Sequence, residues 1–444
     1  MSGAFEGERA VVIGSGVAGV SAARVLAAEG ANVRVTEDRV GLPAALELRG
    51  DGFEVLERHA PEHLEGATLV VPSPGVRPDA PVLGWARDLG VPIWGEMELG
   101  ARLARVPYLA VTGTNGKTTT TAMLAACLRA SGLDAVACGN IGHPFPEAAR
   151  EGHDTLVVEV SSFQLAMQES FHPKVSVLLN LAPDHLDRHG SFEAYGRAKA
   201  RVFQRQTGDD VHVGNRDDLS AWALSAQASC AVRWFTLGEP TAAEAGIVVG
   251  RVVAGWSGAE LWAPLDGSAA LAIDAAACAA MAHAFAVPDA AIAEGLATFV
   301  PDPHRGAVVA VVHGIRFVDN SKATNPHATI AAVGDADGVV LIAGGDAKGV
   351  DLSPLATLAP RLAGVVALGA SRESVRRLFD GSVPVAVVAS IEEAVHSAFT
   401  LAPAGGTVLL APACASWDMF RDYAERGDRF ASASRALARQ DIRT

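Results

Sequence analysis

At 444 residues, half of them hydrophobic and 19% charged, the chain holds enough apolar material for several cores. At roughly 100–200 residues per domain the length predicts two to four domains, with three the central expectation. A net charge of −14 excludes a broad positive field for condensing onto nucleic acid or an anionic membrane, so an anionic ligand must be held by local N–H groups, a few Lys or Arg side chains and a divalent cation.

The N-terminus, Met1 to Ala10, mixes Glu6, Glu8 and Arg9 with small residues and lacks the basic region and apolar stretch of a signal peptide. The most apolar window, Ala275 to Pro288, is alanine-rich and contains His283, and it falls short of a membrane span. The five cysteines (Cys127, Cys138, Cys230, Cys278, Cys414) form no C-x-x-C pair, which argues against a disulfide framework or a structural zinc site. The expectation is a cytoplasmic protein without membrane insertion.

Short β-branched runs alternate with alanine-rich helical stretches from end to end, the pattern of parallel sheets covered by helices and hence of an α/β protein. The first system opens with the buried-strand run Arg9-Ala-Val-Val-Ile-Gly14, continues through a helix near Val17–Glu29 to a strand at Asn32–Thr36, and ends near Arg105-Val-Pro107. Gly14-Ser-Gly-Val-Ala-Gly19 with Glu37 after the second strand matches the G-x-G-x-x-G pattern of dinucleotide sites. The pattern is weak alone, because glycines there can equally serve close helix packing.

The second system begins with a strand at Tyr108–Thr112 and a helix at Lys117–Ala130, joined by Gly113-Thr-Asn-Gly-Lys-Thr-Thr119. This is the local chemistry of a phosphate cradle: Gly113 and Gly116 let backbone N–H groups turn inward, the helix N-terminus adds partial positive charge, Lys117 reaches phosphate oxygens and Thr118 can hold Mg²⁺. The strict G-x-x-x-x-G-K-[ST] pattern fails, since Val111 stands where the first glycine belongs. Glu159 closes the next strand, Thr155–Val160, and can be either a Mg²⁺ contact or a strand-end carboxylate in a hydrogen-bonded turn.

After a strand at Val175–Asn180, Asp184, His185 and Asp187 crowd together as a metal or phosphate site. Lys199, on a helix spanning Phe192–Gln204, reads by itself as a solvated lysine. From Val211 to Ala270 the segments are short, with Gly and Trp, and suggest a small antiparallel appendage. Pro301-Asp-Pro303 reads as a linker, followed by a third system with strands at Gly338–Ala343, Gly364–Leu368 and Thr407–Ala411.

Taken together, Gly113-Thr-Asn-Gly-Lys-Thr118, Gly139-Asn-Ile-Gly142, Glu159-Val-Ser-Ser-Phe-Gln164, Asp184-His-Leu-Asp187, His304-Arg305, Ser321-Lys-Ala-Thr-Asn325, Gly344-Gly-Asp-Ala-Lys-Gly349 and Pro412-Ala-Cys-Ala-Ser416 resemble the Mur ligases of peptidoglycan synthesis. Within that family the resemblance is to the branch adding D-glutamate to UDP-N-acetylmuramoyl-L-alanine. It implies a Rossmann-like domain over 1–106 for the UDP-substrate, an ATP-binding P-loop domain over 107–300 and a Rossmann-like amino-acid domain over 301–444, in a monomer.

By that resemblance Gly113, Thr114, Asn115, Gly116, Lys117, Thr118 and Thr119 hold the ATP phosphates, while Arg305, Asn320 and Lys322 engage ATP from the third domain. Thr118, Glu159 and His185 hold Mg²⁺, which Mn²⁺ can replace, and Lys199 is carbamylated to give a further metal-binding carboxylate. Lys117, Glu159, His185 and Lys199 are then the catalytic set. Ser15, Glu37, Arg39, Ser73 and Gly75 are candidates for the UDP moiety, Asn140 for the muramoyl-alanine part and Ser161 for the same substrate. Thr324, Lys348 and Ser416 line the D-glutamate pocket. Ala270 and Leu271 stand where a His-Asn pair usually occurs, Ala307 replaces a frequent acid, and Asn320 replaces an Asp that meets ribose; all of these departures fall on the nucleoside side of ATP. Rival readings are another amino-acid-adding or folylpolyglutamate-type ligase, or a nucleotide-binding homologue without the chemistry.

Overall fold

The computed structural model describes residues 3–263, 269–334 and 336–441. Its strands form three sheets. The first contains β1 (Arg9–Ile13), β2 (Asn32–Glu37), β3 (Glu54–Glu57) and β4 (Leu69–Pro72), in the order β3-β2-β1-β4 with every pairing parallel. The second contains β5 (Tyr108–Thr112), β6 (Ala135–Gly139), β7 (Thr155–Glu159), β8 (Val175–Leu178), β9 (Val211–Asn215), β10 (Ala231–Phe235), β11 (Glu244–Val248), β12 (Arg251–Ala254) and β13 (Glu260–Trp262), in the order β13-β12-β11-β10-β9-β8-β5-β7-β6. The third contains β14 (Ala307–Val312), β15 (Ile315–Asp319), β16 (Val339–Ala343), β17 (Leu362–Ala367), β18 (Val385–Val387) and β19 (Thr407–Leu410), in the order β14-β15-β19-β16-β17-β18.

Strands such as β5, β7 and β16 are buried along their whole length, as strands covered by helices on both faces must be, which explains why their sequences are continuous apolar runs. The central core lies between the sheet and the helices Lys117–Ala130, Ala269–Ala284 and Asp289–Thr298. Alanine dominates the middle one of these because its neighbours approach closely. At Gly295 a Cβ would sit 2.4 Å from the Cα of Cys127, so only glycine lets those helices meet.

The antiparallel appendage is smaller than expected. β9, β10 and β11 continue the central sheet in parallel, and only β11-β12-β13 pair antiparallel. The helix Leu219–Ser225 supplies the crossover that a parallel β9-β10 pair requires, a feature the short, Trp-containing runs did not reveal. The helix carrying Lys199 spans Phe192–Ala200 and tightens into a 3₁₀ turn at Arg201–Phe203.

Contacts divide the chain into two compact units, residues 1–181 with 193–299, and residues 182–192 with 300–444. The first two sheets therefore share one unit, and the segment containing Asp184 and His185 belongs to the other.

Candidate active site

In the first unit β5 ends at Thr112, whose hydroxyl donates to the Val160 carbonyl at 2.8 Å, and a helix begins at Lys117. The intervening loop is held from outside. Thr114 N donates to Asn180 O at 3.1 Å, Asn115 N donates to Asn180 Oδ1 at 2.9 Å, and the Thr114 and Tyr195 hydroxyls lie 3.1 Å apart. Gly116 takes a left-handed φ of +82°, and a Cβ there would lie 2.2 Å from Asp274 Oδ1. Bracing of this kind would leave the loop little to reorganise on binding an anion at the helix N-terminus.

The Lys117 ammonium donates to the carbonyls of Gly113 at 3.0 Å and Thr114 at 2.8 Å. Lys199, 2% exposed, also donates to Gly113 O, at 2.7 Å. Its reading as a solvated lysine is thus overturned: the helix Phe192–Ala200 turns it inward beneath the loop. Two ammonium groups sharing one acceptor repel each other, and an anion bound at the loop relieves that repulsion.

Glu159, 2% exposed at the end of β7, lies opposite Val111 of β5. Its Oε1 accepts from Asn140 Nδ2 at 2.9 Å, whereas its buried Oε2 has no hydrogen-bond partner among the described residues. One oxygen thus serves the turn, and the other is left over. An unpaired buried carboxylate oxygen is costly, and a hard cation with oxygen ligands would satisfy it, so Glu159 together with Thr118 at the helix start fits Mg²⁺.

In the first sheet the strand order reverses between β1 and β4, and the loops that follow two such strands are where open parallel sheets take ligands. Those loops carry Ser15, Ser73 and Gly75. Ser73 Oγ donates to Gly14 O at 3.4 Å, and a Cβ at Gly19 would lie 2.0 Å from Gly14 O, so Gly19 serves close packing while Gly16 and Gly75 face open space. Glu37 accepts from both the backbone N–H and the hydroxyl of Ser15 at 2.8 Å, and from Arg39 N at 3.1 Å. Burial pushes the Glu37 carboxyl up, but these donors outweigh it and hold the group below its ordinary value. Its first task is to latch the Ser15 loop.

In the second unit the adjacent parallel strands β15, β19 and β16 deliver their following loops to one edge. After β15, Asn320 N donates to Leu410 O, and the Lys322 ammonium lies 3.7 Å from the Tyr423 ring centre. Asp319, beside Asn320, is turned inward to Ser321 N at 3.0 Å and lies 2.7 Å from His304 Nδ1. Arg305 lies 3.8 Å from Asp302. The loops after β16 and β19 are zipped together by Asp346 N to Ala415 O at 3.0 Å and the reverse bond at 2.8 Å, which brings the segments of Lys348 and Ser416 together, while Thr324 lies in the loop after β15. Lys348, at φ +51°, points its ammonium to within 3.9 Å of Asp184 Oδ1, and His185 N donates to that same oxygen at 2.9 Å. The side chain of Ala270 lies outside the described residues.

Sequence reasoning missed several buried groups around these sites. Asp274 abuts Gly116, and its only signal was a lone acid in an apolar helix. Arg426, 1% exposed, ties two candidate loops together by donating to Ser321 Oγ, Ser321 O and Cys414 O at 2.9, 2.9 and 3.1 Å. Burial pulls its guanidinium down to about 10.

Glu96, 4% exposed, was also missed; burial first, and the nearby Glu147 carboxylate second among the groups acting with it, push its carboxyl up to about 7. A carboxyl raised above its unfolded value of 4.5 contributes stability fully present below that pH and lost as pH rises through about 7. We therefore expect Glu96→Gln to gain on the wild type by about 3 kcal/mol as pH goes from 4 to 8. Denaturant midpoints of the two proteins across that range measure it, and a difference that stays flat would mean the carboxyl is not desolvated.

Comparison with known proteins adds family identity to this geometry. Residues 8–95 match a model described as Mur ligase MurD-like, N-terminal domain; residues 111–262 match the Mur ligase middle domain; and residues 304–414 match the Mur ligase, glutamate ligase domain. A protein of Streptomyces avermitilis named UDP-N-acetylmuramoylalanine--D-glutamate ligase is 41% identical, covering 98% of this chain and 99% of the relative. One of the same name from Thermobifida fusca is 43% identical over the same shares. Among solved structures, UDP-N-acetylmuramate-alanine ligase MurC of Thermotoga maritima aligns with a TM-score of 0.61 at 18% identity, covering 96% of this chain and 99% of that one. MurF of Acinetobacter baumannii aligns with a TM-score of 0.61 at 16% identity over 97% and 92%. These two share the fold.

Proposed function

Because the chain belongs to the Mur ligase family, we propose that it is an ATP-dependent ligase coupling D-glutamate to UDP-N-acetylmuramoyl-L-alanine through an acyl phosphate, a step of peptidoglycan precursor synthesis. The observation that carries this reading is the 41–43% identity, along nearly the whole length of both chains, to ligases bearing that name.

The loop from Gly113 to Thr119 supplies backbone N–H groups and a helix N-terminus to the ATP phosphates, and Lys117 leaves its own loop carbonyls to reach them. Mg²⁺ held by Thr118 and Glu159, with Mn²⁺ able to substitute, would neutralise charge on the phosphate oxygens. His185 would hold a second ion. The terminal carboxylate of the UDP-substrate attacks the γ-phosphorus, forming the acyl phosphate and releasing ADP. The neutral amine of D-glutamate then attacks the acyl carbon and expels phosphate, and a water-excluding site protects the intermediate from hydrolysis. Arg305, Asn320 and Lys322 would engage ATP, and Ser15, Arg39, Ser73 and Gly75 the UDP moiety, with Glu37 fixing the Ser15 loop. Asn140 and Ser161 would contact the muramoyl-alanine part.

Thr324, Lys348 and Ser416 would hold D-glutamate. The ion pair of Lys348 with Asp184 supports that role, since at 3.9 Å it is loose enough for a substrate carboxylate to take over the ammonium. Lys199 is read as a carbamate: its ammonium gives up a proton, the free amine adds CO₂ and a second proton leaves, which would turn one of two like charges at Gly113 O into a metal-binding anion.

The test is phosphate production from ATP, Mg²⁺ and UDP-N-acetylmuramoyl-L-alanine with D-glutamate, L-glutamate, lysine or diaminopimelate. Release with D-glutamate alone is expected. Release with a different amino acid would move the chain to another branch, and nucleotide binding without turnover would remove the ligase reading.

A further inference from the structure

Ser161 and Gln164 cap the short helix Ser162–Ala166 reciprocally. Gln164 N donates to Ser161 Oγ at 3.3 Å, and Gln164 Oε1 lies 2.9 Å from Ser161 N and 2.8 Å from Ser161 Oγ. The backbone N–H of Ser161 can only donate, so the oxygen of the Gln164 amide must face it. Two consequences follow from that one constraint. Between Oε1 and Oγ only the hydroxyl carries a proton, so Ser161 spends its donor on Gln164. The NH₂ end of Gln164 must then point the opposite way, and there it meets Glu96 Oε2 at 3.2 Å, in the buried start of the helix Glu96–Leu103.

We propose that Glu96 is a positioning residue for substrate binding: by accepting from Gln164 it locks that amide, and thereby presents Ser161 to the ligand as a hydrogen-bond acceptor only. The inference rests on the reading of Ser161 as a contact of the UDP-substrate and sharpens it. A hydroxyl whose proton is committed cannot donate to a phosphate or carboxylate oxygen. Its remaining lone pair takes an N–H or O–H, so the group it reads is an amide N–H or a sugar hydroxyl, both of which an N-acylated amino-sugar with an amide-linked amino acid provides. The arrangement also gives a reason for keeping a carboxyl in a place where burial penalises it. A neutral apolar residue would relieve that penalty but would leave the Gln164 NH₂ without its acceptor.

The test compares Glu96→Leu, Glu96→Gln, Gln164→Glu and the double variant Glu96→Gln/Gln164→Glu, using calorimetric binding of UDP-N-acetylmuramoyl-L-alanine and steady-state phosphate release. Loss of one acceptor predicts a KM for the UDP-substrate raised about 10-fold in Glu96→Leu, with the KM for ATP unchanged and no fall in melting temperature. Glu96→Gln keeps an acceptor oxygen and restores most of that loss. Gln164→Glu sets two carboxylates against each other and raises the same KM, and the double variant, which exchanges amide and carboxylate, brings it back. A wild-type KM in Glu96→Leu, or a double variant no better than Gln164→Glu, overturns the positioning role while leaving the ligase reading intact. Wild-type protein that fails to bind UDP-N-acetylmuramoyl-L-alanine overturns both.

Discussion

Replacing Lys117 with alanine is expected to lower D-glutamate-dependent phosphate release by about 10³-fold, the scale on which removing one preorganised charge from a transition state is felt. Transfer of the γ-phosphoryl group needs little covalent help, so most of the acceleration comes from groups that meet charge on the phosphate oxygens, and Lys117 heads the helix proposed above to receive those oxygens. The folded protein should survive the change. The lysine is only partly buried, its bonds to Gly113 O and Thr114 O are to its own loop, and Gly113 O keeps Lys199 as a donor. Single-turnover phosphate release, measured beside the melting temperature, separates the two effects. A stable variant that turns over at a near-normal rate would mean that the loop does not hold the phosphates of the reacting nucleotide.

That loop was legible in the sequence because its parts are contiguous: strand, glycine turn, lysine and helix all fall between Tyr108 and Ala130. The loops after β15, β16 and β19 were legible as motifs, and the fold then explained why they belong together, since β19 inserts between the other two strands. The parallel direction of β9 to β11 was hidden, because a short apolar run has the same pattern whichever way its neighbour points.

Buried charges were hidden for a different reason. Arg426 and Ser321 are 105 residues apart, and nothing local distinguishes a guanidinium closed over two loops from one in solvent. Glu96 and Gln164 are separated by 68 residues and join an element of the first sheet's region to one of the second. Lys199 is the instructive case. Its own sequence context suggested a surface lysine, the family resemblance suggested a functional one, and the geometry shows a buried amine bound to the loop that precedes the Lys117 helix.

Replacing that lysine with alanine is expected to reduce turnover by about 10²–10³-fold, again the cost of one electrostatic group, and millimolar acetate or formate is expected to restore part of it. The reasoning starts from Gly113 O, which receives both Lys117 and Lys199. A protonated Lys199 would place a second cation at the carbonyl that already holds the first. Conversion to a carbamate removes the conflict and adds an anion whose oxygens suit Mg²⁺. A free carboxylic acid entering the space left by the side chain would reproduce that anion, which is why rescue should follow the size and charge of the acid. The wild-type enzyme should correspondingly lose activity in CO₂-depleted buffer and regain it with bicarbonate. If neither acid rescue nor bicarbonate dependence is seen, Lys199 acts as an ammonium anchoring Gly113, and Lys199→Arg should then keep more activity than Lys199→Glu.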